Sequence, residues 1–182
     1  AYLGDDALKR GVDVCVSSWQ RAAGNTFPGM AKSAGHYNNA QLIKLEAITN
    51  GYVEAIALNP SGLISEGSGQ NLFAVVDGGL VTPPIEGSNL QGVTRASVMQ
   101  IANDLDIPVR ESVMPREILY TVDELFFSGT ATEVTPIRSV DKIQIGDGKA
   151  GPITCKIKER FLGIVRGELG DNHGWLTPVG GA

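Results

Sequence analysis

The 182-residue chain has little of what usually betrays a specialised class. It holds only two cysteines, Cys15 and Cys155, each inside an apolar-periodic run. Two such thiols cannot staple a small secreted domain, so both are expected to be reduced core residues in the cytoplasm. Its two histidines, His36 and His173, have no metal-ligand spacing with the cysteines or with each other, so no metal site is expected. No apolar run approaches the ~18 residues of a membrane span, and no signal peptide is evident. Lysine and arginine are outnumbered, 15 to 20, by aspartate and glutamate and are nowhere clustered. Neither nucleic acid nor an anionic membrane is an expected partner, and any bound anion must be held by local geometry. An initiator methionine is also missing, and the chain is expected to be a piece of something longer.

What is present describes an ordinary globular domain. Hydrophobic residues make up 42% and charged residues 19%, and a chain of this length suits one domain that buries about 70% of its unfolded surface. Val12, Val14 and Val16 alternate with other residues and predict a half-buried strand. After Tyr37, the residues Ala40, Leu42, Ile43, Leu45, Ala47 and Ile48 predict a helix apolar over most of its girth, hence buried. Asn50-Gly51 stops it. The stretches "VEAIALNPSGLISEG" and "NLFAVVDGGLVTPP" read as two hairpins, turning at Asn-Pro-Ser-Gly and at Asp77-Gly78-Gly79. A second helix begins near Thr94, carries Val98, Ile101, Ala102 and Leu105 on one face, and is ended by Pro108. A strand over 109–113, a short helix from Pro115 and a buried strand "LFFSG" lead to "TATEVTP". The last helix starts at Pro152, aligns Ile153, Ile157, Phe161 and Val165, and closes at Gly167. No repeat or linker divides the chain. The expectation is one mixed α and β domain, with hairpins too frequent for a doubly wound parallel sheet.

Four stretches suggest chemistry. Lys32 stands in "MAKSAGHYNN", and no acidic residue occurs between Asp13 and Glu46. A surface lysine is the plain explanation. The alternative is a nucleophile: a desolvated amine attacks a carbonyl, and small neighbours leave room for a bulky group on the nitrogen. Glu66, in "LISEGSGQN", is either a solvent-facing strand end or a carboxylate presented at a glycine-rich turn. Gly67 and Gly69 are not followed by a helix, so a dinucleotide fingerprint does not fit. In "NLQGVTRAS", Gly92 before a helix start offers free N–H groups and a positive dipole end, with the Thr94 hydroxyl as a further donor. An N-cap threonine would look the same. "FFSGTATEV" is either a tight turn or a nest of N–H groups for a carboxylate. Together these pieces suit an amino acid joined to pyridoxal 5′-phosphate.

The same residues resemble the class IV, fold type IV pyridoxal-phosphate aminotransferases, and most closely the branched-chain amino acid aminotransferases. The resemblance runs from "AYLGDDALKRGVDVCVSSWQRAAGNTFPGMAKSAGHY" through "ISEGSGQNLF", "LQGVTRAS" and "FFSGTATEVTPIRSVD" to "HGWL", nearly the whole chain. It implies the α/β pseudobarrel of the family's larger, C-terminal domain, with residues 1–182 as that single domain. It makes Lys32 the catalytic lysine that holds the cofactor as a Schiff base. Tyr37 would bond the cofactor's phenolic oxygen, Glu66 the protonated pyridine nitrogen, and Leu90 would pack on the ring. Val93 and Thr94 would hold the phosphate, and Thr130 with Ala131 and Thr132 the phosphate and substrate-carboxylate side. The implied reaction is transamination of leucine, isoleucine and valine with 2-oxoglutarate, so amino acids and 2-oxo acids are the expected small-molecule partners. A homo-oligomer is also implied. The family's smaller N-terminal domain, which gives an arginine to the phosphate and much of the side-chain pocket, is absent from this chain and is an expected partner. Departures are Gln70 where glutamate often stands, Gln91 for proline and Thr132 for alanine. D-amino acid aminotransferases and aminodeoxychorismate lyases share the fold, and a non-catalytic domain on the same scaffold is the reading from another class. "GTATEVTPIRSVD" and "HGWL" favour the branched-chain group.

Overall fold

Strand-forming runs rich in valine, isoleucine and phenylalanine assemble into a single sheet. The computed structural model describes residues 5–180. Its strands are β1 (Val12–Val16), β2 (Glu54–Leu58), β3 (Ile64–Gly67), β4 (Asn71–Val76), β5 (Gly79–Thr82), β6 (Val109–Glu111), β7 (Glu124–Gly129), β8 (Glu133–Val140) and β9 (Ile143–Gln144). The helices are α1 (Asp5–Arg10), α2 (Ala34–Thr49), α3 (Val93–Asp104) and α4 (Pro152–Val165), with 3-10 turns at Ile85–Gly87 and Arg116–Tyr120. Strand order is β3-β2-β1-β8-β7-β4-β5-β6, and β9 pairs with β8. The first strand lies between two parallel neighbours, β2 and β8, while β3, β4, β7 and β9 join antiparallel partners. Although β3 and β4 stand far apart in that order, a tight turn joins them and the Gly67 N–H donates to the Gln70 carbonyl at 2.7 Å. The sheet therefore curls on itself into a half-barrel.

Strand alternation explains the layers. Leu72 and Ala74 of β4, with Leu125 and Phe127 of β7, join Val14, Ile56 and Ile137 in one core. From the same strands Phe73, Val75 and Phe126 turn the other way, toward Val98 and Ile101 of α3 and Ile157, Phe161 and Ile164 of α4. Phe73 and Phe126 stack at 5.1 Å. A third cluster seats Ile43 and Ala47 of α2 on Cys15, Ala55 and Ala57. Strands buried on both faces read as continuous apolar runs, as "LFAVV" and "LFF" do.

Both hairpins form as expected. Asp77 and Gly78 take φ of 50° and 77°, and Gly62 takes 78°. The Asn59 side-chain oxygen accepts from the Ser61 and Leu63 N–H groups at 2.9 and 3.1 Å. Gly51 and Gly167, with φ of 80° and 70°, follow the ends of α2 and α4. The cysteines are unbridged, and burial raises the Cys15 thiol to about 11. Among the described residues there is no cluster of metal-ligating side chains and no helix long and apolar enough to cross a membrane.

Several expectations need correction. Helix α2 starts at Ala34, so Tyr37 falls in its first turn, and only Ala40, Ile43 and Ala47 are buried. Leu42, Leu45 and Ile48 are 41%, 57% and 55% exposed. Apolar composition does not bury these three, because α2 touches the sheet by one narrow stripe. In β1 Cys15 is buried beneath that stripe and Val16 is only partly covered. Helix α3 ends before Pro108 can act: Asp106 adopts φ 55° and the Ile107 N–H returns to Ala102 O at 2.9 Å. Strand β6 stops at Glu111, short of Val113. Strands β8 and β9 add to the expected elements, and β8 holds Pro136, a residue rare in central strands. Pairing with β1 starts only at Ile137, with a register shift between Val12 and Asp13, so the proline precedes that ladder. On α4 the buried stripe runs through Ile164 rather than Val165.

The start of α4 has no side-chain cap of its own, because Gly151 is the N-cap. Glu124 of β7 supplies one from across the fold, accepting from the Ile153 N–H at 3.0 Å and the Thr154 N–H at 2.7 Å. Replacing Glu124 with alanine orphans two helix donors in a buried setting. It is expected to cost about 1–3 kcal/mol, read as a lower urea midpoint with an unchanged m-value.

Candidate active site

Where β3 ends, β4 begins and β7 ends, three segments approach from outside the sheet. These are the loop and first turns of α2, residues 88–92 with the start of α3, and the loop after β1. They enclose an open cleft of about 260 Å³. Lys32, Tyr37, Glu66, Leu90, Val93, Thr94 and Thr130 all line it. Ala131 and Thr132 occupy the turn after β7, outside the lining. Ala131 is exposed, and Thr132 is buried with its carbonyl accepting the Thr135 hydroxyl at 2.7 Å.

Lys32 is exposed, two residues ahead of α2. The loop that carries it folds back on the helix: His36 Nε2 lies 2.6 Å from the Pro28 carbonyl, and the Phe27 ring meets the His36 ring edge-on at 4.4 Å. A side chain at Gly35 would run into the Phe27 ring. One of the small neighbours of Lys32 is thus small because the loop lies against it.

Glu66 is the opposite case, only 8% exposed. Its Oε2 accepts from the Leu90 N–H at 3.2 Å and from Asn71 Nδ2 at 3.4 Å. Its Oε1 lies 3.2 Å from Arg21 Nε, an ion-pair contact in which that N–H is not aligned as a hydrogen bond. Burial dominates, raising the carboxyl from an ordinary 4.5 to about 7, against the pull of Arg21 and the Leu90 N–H. A carboxyl poised there gains or loses a proton readily near neutrality.

Opposite stands the start of α3. Gly92 is its N-cap and makes no side-chain bond, so the N-cap explanation of Thr94 does not hold. Thr94 is instead a buried residue of the first turn, and Val93 is exposed. A helix start without a capping side chain presents free N–H groups to an anion. Gly92 must be bare, since a Cβ there would overlap Asn71 Oδ1. Asn71 in turn donates to the Leu90 carbonyl at 2.8 Å, which ties this segment to Glu66.

Three residues of the site escaped the sequence reading. Asn71 and Ser128 are partners across β4 and β7, brought together by register alone. The Ser128 hydroxyl lines the cleft, fully buried and without a hydrogen-bond partner. Arg21 carried a usable signal, for it shares with Lys32 the acid-free stretch between Asp13 and Glu46. Chemically, the cleft combines an accessible amine, a carboxyl that exchanges protons near neutral pH, an anion-ready helix start and an unsatisfied hydroxyl. An aromatic cofactor with a ring nitrogen at one end and a phosphate at the other fits that donor set.

The family profile described as "Amino-transferase class IV" matches residues 2–140. The chain belongs to the class IV aminotransferases. Among its relatives in that family, the branched-chain-amino-acid aminotransferase of Salmonella typhimurium is 53% identical over 98% of this chain. The crystal structure of the Escherichia coli branched-chain amino acid aminotransferase superposes with a TM-score of 0.94 at 52% identity, over 96% of this chain. That of the T.th. branched-chain amino acid aminotransferase with pyridoxamine 5′-phosphate gives 0.92 at 44% identity, over 97%. The curled sheet is therefore the fold type IV pseudobarrel. The chain spans 58% of the length of each of these three relatives.

The state of Glu66 gives a measurable consequence for this class IV chain. Its folded value, about 7, lies above the unfolded one near 4.5, so the folded protein binds the extra proton between them. The resulting stability is complete below the unfolded value and is lost as pH rises through about 7. Urea unfolding at about pH 5 and about pH 8 is expected to show a larger loss in the wild type than in Glu66→Gln. Equal losses would mean that the folded value is not raised.

Proposed function

We propose that this chain is the cofactor-binding part of a branched-chain amino acid aminotransferase. The reaction moves the amino group of leucine, isoleucine or valine to 2-oxoglutarate with pyridoxal 5′-phosphate. The observation that carries the reading is the convergence on one cleft of Lys32, Tyr37, Glu66, Leu90, Val93, Thr94 and Thr130. Identity to branched-chain enzymes supports it, as does the pyridoxamine 5′-phosphate in a similar structure.

When bound, pyridoxal phosphate supplies an electron sink that makes the Cα–H of an attached amino acid acidic. The chain's own residues do the rest. Glu66, as carboxylate, accepts the N–H of the pyridine ring and keeps the ring cationic. Leu90 would pack on the ring, and Tyr37 would bond the phenolic oxygen. Val93 and Thr94, at the start of α3, would take the phosphate with backbone and hydroxyl donors. Lys32 anchors the cofactor covalently. Its amine, when free, would serve as the base that holds and moves the substrate Cα proton. Thr130, with Ala131 and Thr132 beside it, would serve the phosphate and the substrate carboxylate.

The proposal extends to what lies outside this chain. A further domain would supply an arginine to the phosphate and the walls of the side-chain pocket. The exposure of Lys32 and of Tyr37, 46% accessible at the cleft mouth, supports such a cover. The exposed stripe of Leu42, Leu45 and Ile48 supports a homo-oligomer, since such a face is unusual on a monomer. Two unbridged cysteines support a cytoplasmic location.

Two experiments test the reading. Borohydride reduction of the cofactor-loaded protein followed by peptide mapping is expected to place the pyridoxyl group on Lys32 and to find none in Lys32→Ala. A label on Lys44 would sink the assignment. Thr94→Val removes one donor to a charged group, worth about 1.5–3 kcal/mol, so affinity for pyridoxal phosphate is expected to fall roughly ten- to a hundredfold. Pyridoxal without phosphate is expected to bind both forms equally, and a parallel loss there would move the anion site elsewhere.

A further inference from the structure

Arg21 is as buried as Glu66, at 8% exposure, yet it is not among the residues to which the resemblance gives a role. Its backbone N–H donates to the Leu58 carbonyl at 2.8 Å, which fixes its Cα beside the end of β2. One terminal guanidinium nitrogen donates to the carbonyls of Gly67 and of Ser68, the latter at 2.7 Å. The other reaches Asn39 Oδ1 of α2 at 3.4 Å. With both ends held, the remaining edge faces Glu66: Nε stands 3.2 Å from Oε1 and has no other partner. Glu66 Oε2 is already taken by Leu90 and Asn71. Arg21 is thus the one cation at ion-pair distance from this carboxylate among the described residues. The other titratable groups lining the cleft are Lys32, His36 and Tyr37, on α2 and the loop before it.

We propose that Arg21 is a positioning residue of this site: its guanidinium orients the Glu66 carboxylate and favours its charged form, so that the proton shared with a bound pyridine nitrogen resides on the ring. The last clause rests on the function proposed above; the Arg21–Glu66 linkage does not. The physical reason is simple. A buried carboxylate is a strong base, because protonation relieves the cost of holding a charge away from water. Left alone, it would keep the shared proton and offer a neutral ring only a hydrogen bond. A guanidinium beside it stabilises the anion and weakens it as a base. No atom is gained or lost; one proton moves from a carboxyl oxygen to the ring nitrogen. The same tether ties Glu66 to the β3–β4 turn, so orientation and charge are set together.

A merely structural role, tying the turn by its two carbonyls, would leave the titration of Glu66 untouched. The test follows the Glu66 side-chain carbon by NMR in this chain without cofactor, its resonance identified by loss in Glu66→Gln. In Arg21→Gln, which keeps an amide donor but no charge, the midpoint is expected to rise by about one pH unit or more. Arg21→Lys, which keeps the charge, is expected to restore much of the wild-type value. An unmoved midpoint in Arg21→Gln with an otherwise native amide spectrum overturns the proposal. Should that variant not fold, the wild type still decides: the Arg21 Nε resonance must titrate with the Glu66 midpoint, and a flat Nε response overturns it. In protein loaded with ring-15N pyridoxal 5′-phosphate, the ring nitrogen is expected to shift toward its unprotonated signal in Arg21→Gln. An unmoved ring nitrogen despite a shifted Glu66 overturns the last clause. Failure to take up cofactor while Glu66 shifts supports the linkage and counts against the function.

Discussion

Glu54, a carboxylate with no exposed surface, holds the turn on which both the curl of the sheet and the cleft depend. It accepts from Gln70 Nε2 at 2.8 Å, Lys44 Nζ at 3.0 Å and its neighbour's N–H, that of Ala55, at 2.8 Å. Gln70 uses its other end to accept from the Gly69 N–H at 2.8 Å. A buried charge is tolerated only when its lone pairs are met, and here three donors meet them. The turn they fix cannot be loosened elsewhere, for a side chain at Gly67 would come within 2.8 Å of both Gln70 and the Phe127 ring. Gln70 suits its place beside Glu54: an amide can donate to that carboxylate, whereas a second carboxylate would repel it.

Helix α2 connects this turn to the rest of the site. Its body carries Lys44, which reaches Glu54, and Glu46, which accepts the Ser17 hydroxyl and the Ser18 N–H. Those bonds hold the Glu46 carboxyl below its ordinary value although burial opposes them. They also pin the loop that delivers Arg21. The lysine loop runs directly into the same helix. One element therefore sets the amine at the mouth of the cleft, the arginine at its base and the turn that presents Glu66. Its packing on Cys15, Ala55 and Ala57 is what couples the three.

Local signals were legible in the sequence wherever the chain decides its own conformation. Asp77-Gly78, Asn59 with Gly62, and the glycines after α2 and α4 specify turns and stops that need no distant partner. Lys32, Glu66 and Thr94 each had a plain local explanation, and only their combination and the family resemblance singled them out. Long-range facts were not. Strand β8 tolerates Pro136 only because its pairing with β1 begins one residue later, at Ile137, which no local pattern shows. The exposure of Leu42, Leu45 and Ile48 depends on how narrow a stripe of α2 meets the sheet. Ser128 and Asn71 became site residues through β4–β7 register, and the Arg21–Glu66 pair through a loop crossing from the end of β1 to the end of β3. Resemblance to a family supplied the assembly that composition and periodicity could not.

The parallel pairing of β1 with β8 has a consequence for how the chain is made. Asp13 bonds Arg138, 125 positions later in sequence. At about 5–20 residues per second, the ribosome takes roughly 6–25 s to supply that partner. Through that interval β1, an apolar strand destined for the middle of the sheet, has both edges bare or only β2 beside it. Hairpins β2–β3 and β4–β5 close early because their partners are adjacent, whereas the centre of the sheet closes last. The strand that must wait longest is thus the one most exposed to mispairing with another nascent chain.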